Sequence, residues 1–138
     1  MKGMKGQPGI ARNLDVRCAE LGKKLAEMPD MQTKTLHAAL SVLEEQGPFA
    51  LFLYLKSREA KLADSFIDEW VPFVCHHVFQ KPIEECDAKT LAKNDGDKWL
   101  TVMQQLSSDL DDLLFAKDLL RQALIYATYF LKAEGEKG

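Results

Sequence analysis

Residues 47–58, GPFALFLYLKSR, constrain the fold most. Gly47-Pro48 is followed by Phe49 to Leu55, where the only polar side-chain group is the Tyr54 hydroxyl. Lys56 and Arg58 then close the segment, with Lys61 just beyond. Glycine suits the residue after a helix, where a left-handed backbone is needed. Proline suits the first turn of the next helix, where its missing N–H costs nothing. The pair therefore predicts a corner between two helices. A helix apolar on all sides belongs inside a bundle. The expectation is a central apolar helix, with Phe49, Leu51, Phe52, Leu53 and Leu55 all buried and the other helices packed around it.

The flanking sequence carries amphipathic helical spacing. Leu14, Cys18, Leu21, Leu25 and Met28 step by four and three, predicting a helix over about 11–28 that Gly22 weakens slightly. Pro29 ends it, and Asp30 is placed to cap the next. Leu36, Ala39, Leu40 and Leu43 give a second helix over about 31–46. A fourth, over about 60–79, carries Leu62, Phe66, Trp70, Phe73 and Val74, with Pro72 expected to kink or split it. Residues 80–94 read as a connection, with a turn of helix at 88–93 capped by Asp87. A fifth helix starts near Asp97, with Trp99, Val102, Met103 and Leu106. SSDLDD, residues 107–112, reads as a break or cap before a sixth, with Leu113, Leu114, Leu120, Ala123, Leu124, Ala127, Phe130 and Leu131. The apolar phase survives that break, so the last two could be one helix. No segment alternates with period two. The fold class is all-α: a single-domain bundle of five or six helices over 11–134, with disordered tails at 1–10 and 135–138.

The chain has 138 residues, a length suited to one domain. No apolar run approaches the ~20 residues that span a bilayer, and no apolar segment makes the basic N-terminus a secretory signal. Three cysteines, Cys18, Cys75 and Cys86, lack disulfide spacing, which fits a reducing cytoplasm. The net charge of −3 hides an asymmetry. Residues 1–63 carry ten Lys/Arg against seven Asp/Glu, while residues 64–112 carry four against eleven. Any nucleic-acid contact is then made through a local patch or inside a larger basic assembly.

Chemistry-bearing constellations are few. Cys75-His76-His77 is the one metal-like cluster, but helical neighbours point about 100° apart and cannot all face one ion. A core cysteine beside surface histidines is the reading that spacing favours. His37 is isolated. Neither a phosphate loop nor a nucleophile elbow is present. Asp64, Asp68 and Glu69 read as a solvated face. No cofactor, metal or catalytic residue is expected; a thiol- or metal-dependent enzyme is a distant alternative. Lys56, Arg58 and Lys61 suit a helix C-terminus. They also suit phosphate contact, with Arg12, Arg17, Lys23 and Lys24 extending the surface.

Two blocks carry a resemblance: EQGPFALFLYLKS, residues 45–57, and RQALIYATYFLKAEGE, residues 121–136. They resemble the small subunit of type III CRISPR effector complexes of the Cmr type. There the first block reads like Asn-Gly-Leu-Gly, an apolar helix and a closing Lys-Ser, and the last helix carries Ala-Leu and Trp-Leu-Lys-Arg-Phe. Pro48-Phe49 stands here for Leu-Gly, and Tyr129-Phe130 for the tryptophan. The resemblance implies a non-catalytic, cytoplasmic antiviral-defence protein. Copies of it would stack along a filament beside other subunits and contact guide and target RNA backbones without reading sequence. The alternative is a helical adaptor or regulator that oligomerises without nucleic acid.

Overall fold

The computed structural model describes the backbone of residues 2–80 and 98–134, and the side chains of 14–80 and 102–134. The described residues form six helices and no strand: α1 (Lys2–Ala26), α2 (Thr33–Gln46), α3 (Pro48–Arg58), α4 (Ala60–His77), α5 (Lys98–Ser107) and α6 (Leu110–Ala133). The single-domain helical bundle expected from periodicity is the fold. The turn expected at 88–93, Cys86 and the C-terminal tail lie outside the described residues.

Local signals set most boundaries. Gly47 adopts φ 95°, a left-handed value that favours glycine, and its N–H donates to the Leu43 carbonyl at 2.9 Å. Pro48 opens α3 as expected. Asp109 caps α6, its carboxylate accepting from the N–H groups of Asp111 and Asp112. The last two helices are therefore separate. Three boundaries differ from the sequence reading. α1 begins at Lys2, before Ala11, because the apolar stripe marks where a helix packs and not where it starts. Asp30 does not cap α2; it turns the chain with φ 69°, and Gln32 takes the cap position. α4 runs unbroken through Pro72, held on both sides of it by buried Trp70, Val71 and Val74.

The core corrects the expectation for α3. Leu51, Phe52 and Leu55 are buried, but Phe49 and Leu53 are 45% and 46% exposed. α3 packs on its chain neighbours α2 and α4, so one face remains open to solvent. The hub is α6, whose most extensive partner is α1 and which also packs on α2 and α5. Its stripe of Ala116, Leu120, Ala123, Leu124 and Ala127 is fully buried. Small residues recur on this stripe, so neighbouring backbones come close. Gly22 of α1 meets α6 at Ala123, Tyr126 and Ala127, and the Cys18 thiol lies 3.7 Å from the Leu119 carbonyl. That register makes α1 and α6 run the same way. A second focus is aromatic: Phe52 meets Phe66 edge-on at 5.2 Å, and Trp70 stacks on Phe73 at 6.0 Å.

Candidate nucleic-acid interface

The basic residues singled out above fall into two groups. α3 ends at Arg58 and α4 starts at Ala60, beside the turn that follows α1. An open cleft of about 600 Å³ lies there, with Met28, Pro29 and Asp30 on one wall and Glu59 to Leu62 and Ser65 on the other. Lys61 lines this cleft, and Lys23 and Lys24 occupy the last turn of α1. Lys56 and Arg58 close α3 at the same corner. Arg17 stands apart, further back along α1 towards the end of α4, and the Arg12 side chain lies outside the described residues.

Most of these cations have a partner, which charge counting along the chain does not reveal. Lys56 is 3.4 Å from Asp64, Lys24 is 3.5 Å from Glu69, and Arg17 is 2.8 Å from Glu20. The Arg58 guanidinium lies over the Tyr54 ring at 5.0 Å. Exposed pairs of this kind contribute about 0–1 kcal/mol, so a phosphate can displace the carboxylate at little cost. Lys23 and Lys61 are exposed and form no ion pair among the described residues. They are the cations most available to a polyanion.

Cys75 points into the core and is 1% exposed, while His76 and His77 lie at the end of α4 with ring centroids 4.8 Å apart. Among the described residues no group of three or more His, Cys, Asp or Glu side chains could hold a metal ion. Burial lowers the His77 imidazole below its ordinary 6.5; the charges of His76 and Arg17 add to this and Glu20 opposes it. The unfolded chain therefore takes up this proton at a higher pH than the folded chain. Stability should fall as pH drops below about 6.5 and level off below the folded value. His77→Gln should give a shallower loss between about pH 7.5 and pH 5.5 in urea unfolding. An unchanged slope would place the acid sensitivity elsewhere.

The other buried thiol is quiet. Burial pushes Cys18 up to about 11, and the nearby charge of Asp15 acts in the same direction. It stays protonated near neutrality and is a poor nucleophile. The Tyr126 hydroxyl donates to Asp15 Oδ1 at 2.7 Å, and that bond raises the phenol above its ordinary value. This clasp joins residues 111 apart, and no local motif announces it. Among the described residues no helix is long and apolar enough to cross a membrane. No family model, curated protein or solved structure matches the chain.

Proposed function

We propose that this chain is a non-catalytic, cytoplasmic small subunit of a type III CRISPR RNA-guided interference complex, present in several copies and lying against the RNA backbone. The observation that carries this reading is the cleft corner. Lys61 on one wall and Lys23 at the end of α1 form no ion pair among the described residues, while Lys24 and Lys56 close by are in exchangeable ion pairs and Arg58 lies over the Tyr54 ring. Cations on a rigid helical frame hold phosphates by charge and shape, and that needs no contact with base edges. The resemblance of residues 45–57 and 121–136 to the family's blocks supplies the biological setting.

The test is purification of the tagged chain from its native cells. Recovery of a large particle with a short RNA, and crosslinking of that RNA to this chain, is the expected result. Lys23→Glu with Lys61→Glu should reduce crosslinking about tenfold while the particle stays intact, and should flatten the salt dependence of RNA retention by about two phosphate contacts. A particle recovered without RNA favours a helical adaptor that oligomerises without nucleic acid. The pairing of Lys24, Lys56 and Arg17 with carboxylates favours that second reading.

A further inference from the structure

The first two turns of α6 project beyond the end of α2, one of the helices that α6 packs against. Lys117 Nζ is 3.4 Å from the Glu44 carbonyl, and Arg121 Nε is 3.0 Å from the Glu44 carboxylate. Glu44 lies in the last turn of α2, which stops at Gln46. On a helix, residues 110, 114, 117 and 121 share one face. The stripe that meets α2 at Lys117 and Arg121 therefore continues past its end as Leu110 and Leu114. These leucines are 67% and 51% exposed, and they contribute little to the core. Asp109 caps the helix, and the two leucines lie one turn apart outside the core.

The surroundings select what covers them. Asp109 precedes the stripe, and Asp111 and Asp118 flank it on one side. Asp109 and Asp111 are exposed, as is Asp118, which pairs with Arg121. Asp109, Asp111 and Asp118 outnumber Lys117 and Arg121 around this strip, so it disfavours RNA and acidic proteins and attracts cations that carry apolar surface. We infer that the exposed start of α6 is a docking site for a basic amphipathic helix of another protein. Such a helix would set two apolar side chains one turn apart on Leu110 and Leu114, and Lys or Arg against the aspartates. The site lies at the end of the bundle opposite the cleft lined by Asp30, Glu59 and Lys61, and the inference holds whether or not the chain touches RNA.

A helical leucine–lysine peptide is the probe, compared with a scrambled peptide of the same composition. Fluorescence anisotropy should show tighter binding of the amphipathic peptide to the full chain. Leu110→Ser with Leu114→Ser should weaken it about tenfold or more, a loss readable as Kd. Asp64→Asn with Asp68→Asn, an acidic pair on α4, should leave it unchanged. Equal binding of the scrambled peptide would overturn the inference, as would an unaltered affinity of the double-serine variant with its thermal unfolding intact. A change of the free chain's oligomeric state in that variant would also overturn it, by making a second copy the occupant.

Discussion

Phe52→Ala is expected to lower the unfolding free energy by about 3–5 kcal/mol, while Leu53→Ala, one residue on, costs under about 1 kcal/mol. Phe52 is fully buried between α3 and α4, where its ring meets Phe66 edge-on and lies 6.1 Å from Trp70. Truncation removes the transfer free energy of a large ring and leaves a cavity walled by two other aromatics, which cannot close around it without leaving their own contacts. Leu53 is nearly half exposed and lies on the open face of α3. Urea unfolding of the two variants gives the comparison directly. Equal losses would mean that α3 is covered on both faces, as a central rod would be.

That pair of residues marks where sequence reading stops. An amphipathic helix announces its buried face through spacing, and the stripes of α1, α2 and α4 were legible for that reason. Cys18, Leu21 and Leu25, and then Leu36, Ala39 and Leu43, are buried as their periodicity predicts. A run such as Phe49 to Leu55 has no polar side to define the other one, so only its neighbours decide which side chains are covered. The corner at Gly47-Pro48 and the cap at Asp109 were legible because each is local backbone chemistry. The candidate interface was legible as a set of cations but not as a charge pattern. Lys24 pairs with Glu69 and Lys56 with Asp64 through tertiary proximity, and that pairing singles out Lys23 and Lys61. Asp30 has a capping side chain, yet its positive φ turns it to a different use.

Gly22→Ala is expected to destabilise the protein by about 1–3 kcal/mol, although alanine is the better helix former by about 1 kcal/mol. On an isolated helix the substitution would stabilise. In the bundle, a Cβ at position 22 would lie 2.7 Å from Tyr126 Cβ, 2.8 Å from the Ala123 carbonyl oxygen and 2.9 Å from the Ala127 nitrogen. Two of these atoms are backbone and the third is fixed to it, so no rotamer change relieves the overlap. α1 and α6 must separate or slide, and this is the most extensive helix contact in the fold. Separation would also lengthen the Tyr126–Asp15 hydrogen bond and loosen the packing around Cys18. Two measurements follow from the same cause. The melting temperature should drop by about 3–5 °C for each kcal/mol lost. The Tyr126 phenol, raised chiefly by its bond to Asp15, should titrate closer to its ordinary value of 10.0. A larger side chain, as in Gly22→Ile, should cost more than alanine because it adds volume where the backbones already touch. A Gly22→Ala variant more stable than the parent would mean that the two helices do not meet at this point, and the assignment of α6 as the hub would fall with it.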